Sequence, residues 1–296
     1  MIRIATRNSA LAKAQASQVA ELLGGAELVE VSSDGEVGDK GRFVRGVEQA
    51  LLDGRAELGV HSAKDVPAQM AEGLAIAAVP ARKDPADVWV GVGSSLDEVP
   101  EGARVGTASL RRQAQLLAAR PDLRIGELRG NVDTRLRKLA EGEQDAIVLA
   151  AAGLLRLGRE DEAAFAIPGN VMIPAAGQGA LVLQARDDDS ASMDAAGAIG
   201  DEKALRELTA ERTVVSLLEA TCASPIGVHA TVGADVGDGG TGSLTVEAFV
   251  GLPDGSEWVR DRIEGDADEP AATGALLAER LGAAGGREIL ERAESL

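Results

Sequence analysis

Along the chain, short apolar runs of β type alternate with helical patterns. Ile2 to Ala5 reads as a strand and Ser9 to Leu23 as a helix stopped by Gly24-Gly25. Leu28 to Val31 follows as a strand, Phe43 to Leu52 as a helix ended by Gly54, and Leu58 to Val60 as a third strand. The alternation resumes with strands at Arg104 to Gly106, Arg124 to Leu128 and Ala146 to Leu149, and with helices starting at Ser109 and Val132. Such an order predicts parallel or mixed sheets covered by helices on both faces, with ligands beyond the carboxyl ends of the strands. The pattern changes after a helix at Glu202 to Leu218. Three β-like runs, Ile226 to Val232, Ser243 to Val250 and Glu257 to Ile263, precede helical Pro270 to Leu281 and Arg287 to Ala293. Consecutive strands followed by helices predict a separate domain, a small antiparallel sheet with helices on one face.

With 296 residues and 45% apolar content there is ample core for two or three domains. Forty-eight acids against 30 bases give a formal charge of -18, which argues against nucleic acid or an anionic membrane as partner. Met1 to Gln15 has no apolar signal core, and no apolar run approaches the roughly 20 residues of a membrane span. A single cysteine excludes an internal disulfide, so the expectation is a soluble, cytoplasmic protein. Lysine is scarce, Tyr is absent, and acidic runs such as Asp187-Asp188-Asp189 fall in expected loops. That composition resembles proteins of salt-loving organisms, in which salt relieves self-repulsion.

Against this acidic background, residues 104 to 138 carry Arg104, Arg111, Arg112, Arg120, Arg124, Arg129, Arg135, Arg137 and Lys138, opposed only by Asp122, Glu127 and Asp133. Many of these bases fall at strand-to-helix turns, where backbone N–H groups and helix dipoles converge, so a small enclosed polyanion is the expected ligand. Three turns share one design: Thr6-Arg7-Asn8-Ser9, Gly106 to Arg112, and Arg129 to Arg135. Each joins small residues and a hydroxyl able to cap the helix to guanidinium forks that match carboxylates. His61-Ser62-Ala63-Lys64-Asp65-Val66-Pro67 follows a buried-looking strand. Asp65 there either steadies a cation or moves a proton within an anion-binding cleft, or merely caps a turn. His61 and His229 read as structural. Cys222 sits in an expected loop and is either a small buried hydrophobe or the anchor of a tethered group.

Taken together, Arg3 to Ala12, His61 to Pro67, Gly106 to Gln113, Leu128 to Leu136, Ala150 to Gly158, Pro174 to Ala180 and Cys222 to Gly227 resemble the porphobilinogen deaminase (hydroxymethylbilane synthase) family, in order and over nearly the whole chain. The resemblance implies an enzyme, a transferase that joins four porphobilinogen molecules into 1-hydroxymethylbilane with release of ammonia, in tetrapyrrole and heme biosynthesis. It implies a dipyrromethane cofactor tethered to Cys222 by a thioether and contacted by Lys64, Ser109, Arg111, Arg112 and Arg129. Asp65 matches the catalytic aspartate, and Arg7, Ser9, Arg135, Arg156, Phe43 and Gln178 match substrate-binding positions. For Phe43, helix core is the equal alternative. The acetate and propionate groups of each pyrrole account for the arginines.

The implied fold is α/β, with two type II periplasmic-binding-protein-like domains (1–79 with 180–197, and 85–173) flanking a cleft. A third, α+β domain (202–296) would carry the cysteine, and Pro80 to Asp84 and Pro174 to Gly179 would be hinges. The family is usually monomeric. Departures are a shortened Ser32 to Phe43 segment, which in bacterial relatives is a flap, together with Ala108, Asp133 and Ala220-Thr221. The reading from another class is a non-catalytic two-domain binding module for an organic polyanion. It explains neither Cys222 nor the third domain.

Overall fold

In a computed structural model, residues 1–32, 42–67, 70–221, 223–233 and 242–295 are described. In chain order the elements begin with β1 (Arg3–Arg7), α1 (Ala10–Leu22), β2 (Glu27–Val31), α2 (Arg42–Leu52), β3 (Leu58–Ser62), β4 (Leu74–Ala78) and β5 (Asp87–Gly91). Then come β6 (Arg104–Gly106), α3 (Leu110–Ala119), β7 (Arg124–Gly126), α4 (Val132–Ala140), β8 (Ala146–Ala150), α5 (Ala151–Arg156) and β9 (Phe165–Ala166). The rest are β10 (Leu181–Arg186), α6 (Ser190–Gly197), α7 (Glu202–Leu217), β11 (Ile226–Val232), β12 (Ser243–Gly251), β13 (Trp258–Asp266), α8 (Pro270–Ala283) and α9 (Gly286–Glu294).

The chain divides into two compact units, Met1–Lys83 with Gly179–Leu205 and Asp84–Gln178 with Arg206–Leu296. The first holds a sheet of order β2-β1-β3-β10-β4. β1 is parallel to β2 and β3, whereas β10 is antiparallel to β3 and β4. Alternation along β1 explains the two helical layers. Ile4 shares a core with Ala16 and Val19 of α1, and its neighbour Ala5 shares another with Val47 and Leu51 of α2.

The second unit repeats this scheme in a sheet of order β7-β6-β8-β5-β9, with β6 parallel to β7 and β8 and β5 antiparallel to β8 and β9. Trp89, Val105, Leu116 and Val148 pack on one side, and Val88, Val90, Leu136 and Leu149 on the other. The same unit contains the antiparallel sheet β11-β12-β13, whose Val228, Ala230, Leu244 and Val246 are covered by Val214 of α7, Leu277 and Leu281 of α8 and Leu290 of α9. Within the unit, Phe249 of β12 shares a small core with Ala114 of α3 and Ile173. At the β12–β13 turn Gly255 has φ +72, and a Cβ there would lie 2.4 Å from the backbone N of Ala118, so glycine alone lets the turn meet α3.

The expected class is therefore what the chain adopts: two α/β sheets of like order and an antiparallel sheet with helices. The expected elements are present, shifted by a few residues at their ends. β4, β5, β9, β10, α5 and α6 are additional. β5 and β10 are buried inserted strands, read as continuous apolar runs (Val88-Trp89-Val90, Leu181-Val182-Leu183) that no alternation marks.

Candidate active site

All three turns end strands and begin helices. Ser9 caps α1 by accepting from the Ala12 N–H at 3.3 Å, Ser109 caps α3 from Arg112 N–H at 3.5 Å, and Asn131 caps α4 from Thr134 N–H at 2.9 Å. Each hydroxyl or amide oxygen thereby accepts a cap bond, in the third turn from an amide rather than the expected hydroxyl, which leaves the serine O–H groups, with the backbone N–H groups and arginines of the turns, able to donate to an anion. Gly130, at φ +127, makes the last turn possible, since a Cβ would sit 2.8 Å from the Thr134 side chain.

In the first unit, β1 and β3 bring Arg7, His61, Ser62 and Asp65 around one recess, completed by Ala12 and Gln15 of α1 and Val44 of α2. Lys64 and Asp65 lie in a 3-10 turn, Ala63–Asp65, which the Val66 N–H closes onto the Ala63 carbonyl at 3.2 Å. Among the described residues the half-buried Asp65 carboxylate accepts no hydrogen bond, so it does not cap that turn. Ser62 is held by Gln15, whose Nε2 donates to its Oγ at 2.8 Å.

His61 is structural, as expected, but it is also part of the recess wall. Gln184 donates Nε2–H to Glu48 at 3.1 Å, which turns its carbonyl toward His61 Nε2 at 2.9 Å. His61 therefore donates from Nε2 and is fixed in one tautomer. Burial above all, with Arg7's charge adding to it and the Gln184 bond opposing, lowers its pKa from 6.5 to about 4. Between those values the unfolded chain takes up a proton that the fold refuses, so stability falls as pH falls through this window. Going from pH 7 to 5 should cost about 2 kcal/mol from this group. Denaturant midpoints at the two pH values check it: His61→Gln should lose about 2 kcal/mol less than wild type, and equal losses would contradict the assignment.

In the second unit the basic run separates into two populations. Arg104 pairs with Asp145, Arg120 with Asp122, Arg137 with Glu141 and Lys138 with Glu143. These bases brace loops and helix ends, which narrows the expected anion site to fewer residues than the raw charge count implied. Arg111 and Arg112, at 3% and 5% exposure, both reach Asp87 on β5, each with a closest contact of 2.7 Å. Arg112 also donates to the Val148 carbonyl at 2.8 Å and Arg111 to that of Ile173 at 2.7 Å. Among the described residues, the buried Arg111 Nε has no acceptor.

Beside them stands Arg135, whose Nε donates to the Gly130 carbonyl at 2.9 Å. Burial, then the charge of Arg112, lowers its pKa from 12.5 to about 10. Burial does the same to Arg156 at the end of α5. A cationic group held in a poorly solvated place is stabilised by an incoming carboxylate. Arg129 is exposed and pairs with Glu127 at 2.6 Å, and Asp133, which added a negative charge near the cluster, is paired with Arg159 at 2.9 Å.

Gln178 is fully buried and donates Nε2–H to the Pro85 carbonyl at 2.6 Å, so it joins the chain segments entering and leaving the second unit. Phe43 falls in α2, but its side chain lies outside the described residues, as do Cys222 and residues 33–41 of the shortened segment. Next to Cys222, Thr221 and Ser224 are tied by the Thr221 N–H to Ser224 Oγ bond at 2.9 Å. The residue that sequence reasoning missed is Asp87. Its signal, an acid opening an apolar strand two residues after Pro85, is weak without the partners it meets in space.

A bound polycarboxylate fits these residues: Arg111 has an orphaned buried donor, and Arg135 and Arg156 have poorly solvated charges. Residues 2–194 match the family model described as porphobilinogen deaminase, dipyromethane cofactor binding domain, and residues 205–283 the porphobilinogen deaminase C-terminal domain. The porphobilinogen deaminase of Brevibacillus brevis is 41% identical over 97% of this chain and 96% of the relative, and that of Trichlorobacter lovleyi 42% identical over 98% and 96%. Among solved structures, the periplasmic VFT2 domain of Bordetella pertussis BvgS is similar over 67% of this chain and 86% of that one, at 15% identity and a TM-score of 0.42, too distant to bear on function. With both family models matched in order and relatives aligned across nearly its whole length, the chain belongs to the porphobilinogen deaminase family.

Proposed function

We propose that the chain joins four porphobilinogen molecules into 1-hydroxymethylbilane, releasing ammonia at each addition, for tetrapyrrole synthesis. The observation that carries this reading is the full-length family match. The arginines at the carboxyl ends of β6, β7 and β8 supply its chemistry, since each pyrrole unit brings an acetate and a propionate. When bound through a thioether to Cys222, the dipyrromethane supplies the pyrrole to which units are added. Arg111, Arg112 and Arg129, with Lys64 and the α3 amino end at Ser109, hold its acid groups. Arg7, Arg135 and Arg156 hold those of the incoming porphobilinogen, aided by the α1 amino end at Ser9 and by Phe43 and Gln178.

Asp65 acts at the bond that breaks. As ammonia leaves the aminomethyl carbon of porphobilinogen, the pyrrole ring takes up positive charge as a methylene-pyrroleninium cation. A fixed carboxylate favours that cation over the neutral ground state, so its effect falls on the barrier. The test is stoichiometry. Purified protein given porphobilinogen should release four ammonia molecules for each hydroxymethylbilane, and binding without ammonia would favour the polyanion-binding module instead.

Residues 202–296 act in this reading as a third domain carrying Cys222, and 80–84 and 174–179 as hinges between 1–79 with 180–197 and 85–173. The protein works as a cytoplasmic monomer without nucleic-acid or membrane partners. No helix among the described residues is long and apolar enough to cross a membrane. The charge of -18 and the scarcity of lysine support a salt-loving source. Screening shortens the Debye length to about 3 Å at 1 M salt, so the melting temperature should climb across a KCl series into the molar range. A flat or falling series would remove that reading.

A further inference from the structure

Consecutive side chains on an α-helix diverge by about 100°. Arg111 and Arg112 nonetheless converge on one carboxylate, that of Asp87, which is 1% exposed. Arg112 holds Asp87 Oδ1 with Nε at 2.9 Å and Nη2 at 2.7 Å, while its Nη1 donates to Val148. Arg111 uses only Nη1, whose two hydrogens go to Asp87 Oδ2 and to the Ile173 carbonyl, both at 2.7 Å. The opposite edge of Arg111, Nε with Nη2, is the side of a guanidinium that grips a carboxylate with two parallel bonds. Its Nε is buried and has no acceptor among the described residues.

Two guanidiniums against one carboxylate also leave one positive charge. That is the charge an incoming monocarboxylate would balance. We infer that Asp87 is a positioning residue, which by fixing Nη1 of Arg111 and the fork of Arg112 aims the free edge of Arg111 at an acid group of the dipyrromethane. The inference rests on the reading above that these two arginines hold the cofactor.

Asp87→Asn tests it closely. An asparagine keeps the shape and can still accept from Arg112, but its amide N–H would meet the Nη1 donor of Arg111 and turn that guanidinium away. The full-length variant, freed of cofactor and given porphobilinogen, should melt cooperatively. It should gain the mass of the two pyrroles about tenfold more slowly than wild type, the effect of one charge-assisted bond, and need more porphobilinogen to do so. Asp87→Glu keeps the charge but displaces the carboxylate by a methylene, and should also load slowly. A merely structural role would lower the melting temperature and leave loading well below that temperature unchanged, which would overturn the inference. Arg111→Leu and Arg112→Leu separate the two levels. If they stay without cofactor while folded Asp87 variants load as wild type, the role of Asp87 alone is rejected. If the arginine variants load normally, the cofactor reading itself fails and the inference with it. If neither Asp87 variant folds, Asp87 serves the fold rather than the aim of Arg111, and the inference is likewise rejected.

Discussion

Cys222→Ser should yield a protein with neither tethered dipyrromethane nor turnover. Cys222 is the only thiol in 296 residues, so no other side chain can make a thioether. A serine hydroxyl is a far weaker nucleophile at neutral pH, whereas a thiol with an ordinary pKa near 8.5 already holds a few per cent of thiolate. The substitution changes one atom, and the surrounding loop retains its own ties, with the Ala223 N–H donating to Thr221 Oγ1 at 3.1 Å. The fold should therefore survive and the loss should be chemical. Intact mass shows whether the pyrrole pair is gone, and an ammonia assay shows whether turnover has fallen by the many orders expected when the anchor of the growing chain is missing. Wild-type turnover from this variant would refute the anchoring role of Cys222.

Much of this was legible in the chain because local rules and global fold agree. Ser9 and Ser109 are good caps standing before good helices and each is one, while at the third turn the Asn131 amide takes the place of the expected hydroxyl. Periodicity located β1, β3, β6 and β8, and with them the strand ends near which the candidate residues lie. Periodicity failed for β5 and β10, inserted antiparallel strands whose neighbours come from distant parts of the chain. Charge counting failed in a related way. Arg104 and Arg111 look alike in sequence, yet one is a surface brace paired with Asp145 and the other lies buried on Asp87. Only the register of β5 against β8, which sets Asp87 beside Ala150, reveals the difference. Asp65 was readable as a functional candidate or a turn cap, and the structure bears on the second alternative alone: its turn is closed by the Val66 N–H and the Ala63 carbonyl, with no bond to the carboxylate among the described residues.

That same observation makes Asp65→Asn the cleanest separation of binding from chemistry. The 3-10 turn is held by the Val66 N–H and the Ala63 carbonyl, so the variant should fold and melt much as wild type does. Asn matches Asp in shape and can still accept a hydrogen bond from a pyrrole N–H, but the negative charge facing the developing cation is gone. Arg7 lines the same recess. In the variant its positive charge is opposed by one carboxylate fewer, which disfavours the cation further while continuing to attract the acid groups of porphobilinogen. Binding and barrier should thus respond differently. Turnover should fall by about 10² to 10³, the usual effect of losing one preorganised electrostatic contact, with a much smaller change in the porphobilinogen concentration needed for half-maximal rate. Arg111→Leu should behave in the opposite way, remaining largely without cofactor because a carboxylate clamp is lost before any chemistry begins. Intact mass distinguishes the two: Asp65→Asn carrying the pyrrole pair with little turnover, Arg111→Leu lacking it. If Asp65→Asn proved to be without cofactor while Arg111→Leu loaded normally, the division of labour between the carboxylate of the first unit and the arginines of the second would be reversed.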